Sequence, residues 1–404
     1  MTIVADTHPT VDPIITRNFE QLPNYAEAKG LLDTILGMRC QRTPRRLDRP
    51  LAIYGGGDLG RMASSWCKLV GIHLGLVIDA QPESLKEDPF WHGVRVCASN
   101  AISKYDRENY TIALCVAKNP IAPIEADLLS AGWRDIVPFY DIAEAYRVHN
   151  PLSNGWFAGI LSDADREGIK SVLEVWQDDI SRAHHLQFIA WRCLREEWSF
   201  DDASVTSADR FFIAPLKQAL DHSERFLDLG AHRGESLLNF ITKTAGRFDR
   251  ITAIEPDPFS HNALLQGLSG LPRALYQKVE VLQIGVSEVS GRQRFAAGHG
   301  YASQISPLGS HEIDAFAIDD LELSPTLIKF HLEGHEWPAL RGARETLLCH
   351  RPILAVTIYH NRDGLFLTAE WMMKTLPRYK FWMRTHSWCG TGAVIYAVPE
   401  ERTA

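Results

Sequence analysis

Two short stretches, LAIYGGGDLGR at 51–61 and FLDLGAHRGES at 226–236, each run an apolar segment directly into glycines. A turn of this kind lets the backbone fold back sharply and come close to a ligand or a neighbouring strand. Strand, glycine turn and helix in succession imply a crossover connection, and such crossovers build parallel sheets covered by helices. Two such starts in one chain therefore call for two α/β sheets. The 404 residues suffice for both, since a domain takes about 100–200 residues.

The first turn satisfies G-x-G-x-x-G with Gly55, Gly57 and Gly60, and Asp79 follows at the end of the next apolar run. Apolar runs at 51–54, 74–78 and 111–117 alternate with helical stretches. In this context the glycines can admit a pyrophosphate and the acid can hold ribose hydroxyls, which points to NAD(P) or a nucleotide-sugar. The same residues also serve a Rossmann-like domain that keeps the turn for packing alone, and both readings stay open. Lys118 and Asn119 end a strand, but no hydride-transfer partner is assignable to them.

The second turn has a different grammar, D-x-G-x-x-x-G, with Asp228, Gly230 and Gly234, and Glu255 at the tip of the following strand. Glu255 suits two ribose hydroxyls. Asp228 opposes an ammonium better than a pyrophosphate, which suits the aminoacyl end of S-adenosylmethionine. Further strands are expected at 251–254, 279–284, 327–332 and 353–359, with a final pair near 380–386 and 393–398.

Between the two series the pattern becomes helical, with Ile169, Val172, Leu173, Val175 and Trp176 at helical spacing and an N-cap candidate at Ser162. The expected organisation is therefore an N-terminal helical segment and linker at 1–48, a Rossmann-like domain at 49–149, a helical connector at 150–210 and a second α/β domain at 211–404. The two α/β domains are expected to be separable units. His184 and His185 are adjacent on the connector, cannot share a helix face, and read as surface or packing residues.

Charge and cysteine usage exclude several function classes. Lys and Arg number 42 against 50 Asp and Glu, a net charge of −8, and no basic run stands out. Nucleic acid is thus not an expected partner. The N-terminus lacks a signal-peptide pattern and no apolar run reaches a membrane span. The seven cysteines form no C-x-x-C pair, as expected of reduced thiols in a cytoplasmic protein.

Chemistry is expected where the segment TLIKFHLEGHE ends a strand. Alternate residues share a strand face, which would group Lys329, His331 and Glu333. His360, ending ILAVTIYH, lies at the same sheet edge. H-E-x-x-H fails after His335–Glu336, and a metal cluster of His331, Glu333, His335 and Glu336 is disfavoured because His335 falls beyond the turn. No metal ligands are assigned. Ser303, Asp319 and Asp320 are weaker candidates for positioning, and Arg384 and His386 either face the acceptor or serve packing, with both readings open.

The segments FLDLGAHRGES, AIEPDP, GYASQIS, AIDDL, LIKFHLEGHEWPALRGA and RPILAVTIYH together resemble the FkbM-type S-adenosylmethionine-dependent methyltransferases over about 211–398. The resemblance implies a class I methyltransferase sheet of seven strands with an antiparallel last pair, beside a fused N-terminal Rossmann-like domain. It places cofactor contacts on Asp228, Gly230, His232, Gly234, Glu255 and the 283–286 segment (Gln283, Ile284 and Gly285). The family usually carries Asp where this chain has His331; the change favours a proton acceptor, titrating near pH 6–7 if unperturbed, over a hard-cation site. The implied activity is O-methylation of a hydroxyl on a glycan, nucleotide-sugar or related secondary metabolite, with His331, Glu333, Lys329 and His360 as catalytic candidates. A bifunctional NAD(P)-dependent sugar-modifying protein and a non-catalytic nucleotide-sensing scaffold are the rivals. A small-molecule or glycan acceptor is the expected partner, and a homo-oligomer is compatible with the sequence.

Overall fold

Gly71 closes the first crossover helix in a left-handed conformation, φ +75°, and sends the chain back into the next parallel strand. That crossover belongs to a computed structural model that describes residues 13–148 and 152–403. The first twelve residues and the expected start of the connector at 150 lie outside the described residues.

The strands up to the connector are β1 (Thr16–Phe19), β2 (Leu51–Tyr54), β3 (Leu74–Ile78), β4 (Arg95–Cys97), β5 (Thr111–Leu114) and β6 (Ile136–Pro138); β7 (Glu197–Phe200) ends it. Five of them form a parallel sheet in the order β4-β3-β2-β5-β6. The helices of this part are α1 (Tyr25–Gly37), α2 (Asp58–Val70), α3 (Pro82–Lys86), α4 (Lys104–Asn109), α5 (Ile121–Ser130), α6 (Phe139–Ala145), α7 (Asp163–Val175) and α8 (Asp179–Leu194), and the glycine turn after β2 leads into α2. Helix α2 buries Met62, Ala63, Trp66 and Cys67, the stripe that its 3.6-residue period lays on the sheet.

Helix α1 begins with a capping box between Asn24 and Glu27. It buries Ala28, Leu32, Ile35 and Leu36 in one cluster with Ile169, Leu173 and Ile189 of the connector and with Leu227, Leu229 and Ile328 of the second sheet. Strand β1 likewise pairs in parallel with β7. The N-terminal segment thus completes the core around the connector.

Ser162 caps α7 as its sequence suggests, with Asp165 returning the bond. Helix α8 is buried almost all round because it packs against both sheets: Trp191 joins the first sheet's core and Leu186 and Ile189 the second's. This corrects the surface option for His184 and His185. Both are buried, with His184 Nδ1 2.9 Å from Thr385 Oγ1 and His185 Nδ1 3.1 Å from Trp176 Nε1.

The second sheet comprises β8 (Arg225–Leu229), β9 (Arg250–Ile254), β10 (Val279–Leu282), then β15 (Leu327–Phe330), β16 (Ile353–Thr357), β17 (Tyr379–Thr385) and β18 (Ala393–Pro399). Its order is β10-β9-β8-β15-β16-β18-β17, and the last pair is antiparallel. This is the class I methyltransferase architecture that was expected. The strand expected over 279–284 is interrupted. After Leu282 the chain leaves the sheet, and β11 (Gly285–Val286) joins β12 (Gly291–Ala296), β13 (Gln304–Ile305) and β14 (His311–Phe316) in a small second sheet. Gly285 fits there because a Cβ on it would lie 2.8 Å from Ile313 Cδ1. Strand β15 also stops short of 332, at Phe330, for a reason found in the site.

Candidate active site

Gly230 lies at φ +71°, and a Cβ on it would stand 2.0 Å from the His331 carbonyl oxygen. Only glycine therefore lets the turn after β8 press against the tip of β15. Gly234, φ +92°, then opens the next helix at Glu235. Glu255 at the tip of β9 accepts from His232 N at 2.7 Å and Asp257 N at 2.9 Å, and burial raises its carboxyl pKa. His232 Nε2 is buried and unbonded. Gln283 is exposed and Gly285 buried just past β10, where Leu282 O accepts from Glu255 N at 3.1 Å. A cavity of about 220 Å³ lined by Arg233, Phe259, Ser260, Gly298 and Gly300 borders this turn.

Asp228 departs from its expected part. Its carboxylate is fully buried, 2.8 Å from Lys329 Nζ, and accepts from Ser236 Oγ at 2.6 Å. Lys329 also donates to Gly230 O at 2.7 Å. The ammonium that Asp228 opposes is thus the chain's own, supplied from the register partner on β15. Asp228 and Lys329 fix the turn; Lys329 does not reach out with His331 and Glu333.

His331 and Glu333 do meet, though strand alternation is not the cause. Glu333 sits at φ +48° in a turn beyond β15. That left-handed residue ends the strand and swings the carboxylate back, bringing Oε1 to 3.3 Å from His331 Nε2 and 3.1 Å from His360 Nε2. The two imidazoles stack, centroids 5.2 Å apart at 13°. Glu333 Oε2 accepts from Ser153 Oγ, and Tyr359 Oη lies 3.0 Å from His331 Nε2 while accepting from Arg210 at 2.8 Å. His360 Nδ1 is 2.6 Å from Glu336 Oε1, and Glu336 is held by Leu332 N, Gly334 N and Thr357 Oγ1.

Electrostatics follow from this packing. Burial lowers His331 to about 3, which corrects the expectation of titration near pH 6–7 and leaves the ring neutral. Burial opposes charge on His360, yet Glu333 and Glu336 lift it well above the ordinary imidazole value. Burial likewise opposes charge on Glu336, but His360 beside it holds the carboxyl down at about 2. His335 lies apart, with Nε2 3.0 Å from Ser287 Oγ, as the sequence implied.

The first glycine turn is accounted for by its own packing. Gly55 is at φ +98°, a Cβ on Gly60 would lie 2.1 Å from Gly55 O, and one on Gly56 would meet Leu85 Cδ1 of α3 at 2.2 Å. Gly57 caps α2. Asp79 accepts from Gly56 N and Gln81 N, both at 2.8 Å, so the acid closes the turn. These contacts give NAD(P) or a nucleotide-sugar no support and favour the packing alternative.

Residues 228–382 match the family model of the Methyltransferase FkbM domain. The chain carries an FkbM-type methyltransferase domain. The crystal structure of methyltransferase FkbM from Methylobacillus flagellatus KT is similar with a TM-score of 0.61 and 20% identity, covering 92% of this chain and 98% of that one. At that identity the likeness is one of fold, and it spans both sheets. Precorrin-6y C5,15-methyltransferase from Geobacter metallireducens GS-15 aligns over 49% of this chain and 93% of its own, with a TM-score of 0.28 and 12% identity. Podospora anserina methyltransferase PaMTH1, bound to SAH, aligns over 59% and 88%, with a TM-score of 0.29 and 14% identity. A search of curated proteins gave no match.

The FkbM-type domain fits S-adenosylmethionine on its own observations: a glycine cradle, Glu255 with lone pairs to spare, the orphan His232 Nε2 and the adjoining cavity. Other sequence candidates have structural work. Asp257 accepts from Ser303 Oγ at 2.8 Å, and Asp319 accepts from Glu345 N and Thr346 N. Asp320 bonds Ser290, Arg384 pairs with Asp178, and His386 contacts Thr206 O and Tyr396 Oη. Sequence reasoning missed Ser153, Arg210 and Tyr359. Only Tyr359 carried a signal, as the neighbour of His360 in IYH. No helix among the described residues is long and apolar enough to cross a membrane.

Proposed function

We propose that the chain is an S-adenosylmethionine-dependent O-methyltransferase acting on a hydroxyl of a glycan, nucleotide-sugar or related secondary metabolite. The observation that supports this reading is the close approach of the cofactor-type turn to the strand tip, Gly230 against His331 O, which would let a bound donor and an acceptor at the tip meet. When bound, the cofactor supplies a methyl group on a sulfonium. Glu255 and His232 would hold its ribose side, and the Lys329–Asp228 pair keeps the turn in place. In-line transfer demands alignment of the acceptor oxygen and removal of its proton. His331 is the accessible member of the cluster, with its side chain 21% exposed, and Glu333 and His360 orient it. The acceptor hydroxyl binds at this cluster, which receives the proton.

The test is calorimetric titration with S-adenosylmethionine, then formation of S-adenosylhomocysteine with a panel of nucleotide-sugars, oligosaccharides and hydroxylated secondary metabolites. Turnover on a hydroxyl supports the reading. Tight binding without turnover on any of them would return the sensing alternative.

A further inference from the structure

We propose that His331, Glu333 and His360 form a site for one divalent transition-metal ion of the zinc class. The geometry is that of a ligand set. Glu333 Oε1 stands 3.3 Å from His331 Nε2 and 3.1 Å from His360 Nε2, and the ligand atoms of all three residues lie within 4.8 Å of one another. An ion with bonds of roughly 2.0–2.2 Å separates neighbouring donors by about 2.9–3.5 Å. The two spacings to Glu333 Oε1 are therefore ones an ion would impose, and the ion would take the place of the proton that Glu333 and Glu336 otherwise hold on His360.

A second observation points to a ligand. The His360 side chain has no exposure, and its Nε2 is a buried polar atom without a well-directed hydrogen bond, aimed at the Glu333 oxygen. Its other nitrogen is already committed, 2.6 Å from Glu336 Oε1, which is the carboxylate–imidazole arrangement that orients metal-bound histidines. Glu333 is oriented in the same way by Ser153 Oγ on its second oxygen. Glu333 also holds a left-handed backbone, a conformation unfavourable for a non-glycine residue, and this turn brings the carboxylate to both rings.

Two imidazoles and one carboxylate suit Zn²⁺, Fe²⁺ or Mn²⁺ better than Mg²⁺ or Ca²⁺, which prefer oxygen throughout. Three protein ligands leave coordination positions open, as in catalytic rather than structural zinc sites. The partial exposure of His331 turns that opening toward solvent. Coordination of the acceptor hydroxyl there would make its proton easier to lose, to solvent at the open side, since the ligand atoms of the three residues are then held by the ion; this consequence rests on the methyltransferase reading, whereas the binding of the ion does not.

The experiment uses the full chain, stripped with a chelator and titrated with Co²⁺ followed by visible absorption, then with Zn²⁺ by calorimetry. One equivalent per chain is expected, with d–d bands that Zn²⁺ bleaches. Glu333→Gln and His360→Ala should each weaken binding on the order of 100-fold or more. His331→Asn, at the exposed edge, should do the same without loss of folding, which keeps the test decisive if the buried variants fail to fold. His335→Ala, whose ring bonds Ser287 instead, should bind like the parent. Absence of Co²⁺ and Zn²⁺ binding at millimolar ion, or undiminished binding in His331→Asn, would overturn the proposal. S-adenosylmethionine binding measured on the same preparations separates the two readings. A chain that binds the cofactor and no metal sinks only the metal site; one that binds metal and no cofactor sinks the methyltransferase assignment alone.

Discussion

Replacing Glu255 by Gln changes one oxygen into an amide nitrogen and removes a charge from a residue that is 6% exposed. In the native turn both carboxylate oxygens accept backbone protons, from His232 N at 2.7 Å and from Asp257 N at 2.9 Å. The amide can satisfy one of these and must set its own N–H against the other, so a buried donor loses its partner. Cofactor hydroxyls would at the same time lose a charged acceptor, and hydrogen bonds to charged groups contribute about 1.5–3 kcal/mol. The expected loss of S-adenosylmethionine affinity is therefore roughly 10- to 150-fold. Calorimetric titration measures it, and urea unfolding of the unliganded variant separates the cost to the turn from the cost to binding. Asp79→Asn is the matched control, because Asp79 makes the same kind of turn contact in the first sheet, to Gly56 N and Gln81 N. It should leave cofactor affinity unchanged. Should Asp79→Asn weaken binding more than Glu255→Gln, the assignment of the two turns is reversed; an unaltered affinity in Glu255→Gln refutes the role given to the acid.

Three further outcomes are expected. His331→Asn should keep cofactor affinity and lower methyl transfer by ~10²–10⁴-fold, the contribution of a positioned proton-handling group; a wild-type rate would remove His331 from the chemistry. A chain starting at Ser162 should be insoluble, against the separability expected from sequence, since it exposes the partners of Leu32, Ile35 and Leu36, each worth about 1.5–3 kcal/mol on burial; soluble, cofactor-binding material would show that the first 161 residues are dispensable. Burial lowers His184 and His185 to about 3, so the unfolded chain takes up protons that the native state refuses: stability is full above pH ~6.5 and falls on acidification, by roughly 1.4 kcal/mol per histidine at about pH 5.5. Urea midpoints compared at pH 7.5 and 5.5 check this, and equal midpoints would contradict it.

The sheets were legible because each signal was local. An apolar strand, a glycine turn and an acid at the next strand tip sit within about thirty residues, as in Asp228 to Glu255. What was not legible depended on chain segments far apart. Ser153 reaches Glu333 across 180 residues, and nothing in the sequence around Ser153 announces it. The grouping of His331 with Glu333 was foreseen for the wrong reason: strand alternation stops at Phe330, and a left-handed turn performs the pairing. Asp228 was read toward a ligand because its register partner, Lys329, could not be known before the strands were aligned. Helix α1 was read only as part of an N-terminal helical segment and linker, since its apolar stripe shows that something is covered, but not by what.

Those long-range contacts explain why the connector helix is buried rather than draped over the surface. Arg192 on α8 donates to Asn154 O at 2.7 Å, Trp156 O at 3.1 Å, Tyr359 O at 2.8 Å and Gly390 O at 2.6 Å. Its guanidinium also lies 4.1 Å from the Trp156 ring. Asn154 follows Ser153, and Tyr359 precedes His360, so one side chain fixes both walls of the cluster. A planar fork with several donors can join carbonyls from three separate loops; a lysine, with a single compact ammonium, cannot span them. Burying a cation without a carboxylate partner is costly unless its donors are met; here the four N–H groups on Nη1 and Nη2 are met and the buried Nε–H is not. The geometry around Glu333 is therefore a property of α8 and the 152–161 segment as much as of the strand tip, so the His331–Glu333–His360 cluster is incomplete when residues 228–382 are considered alone.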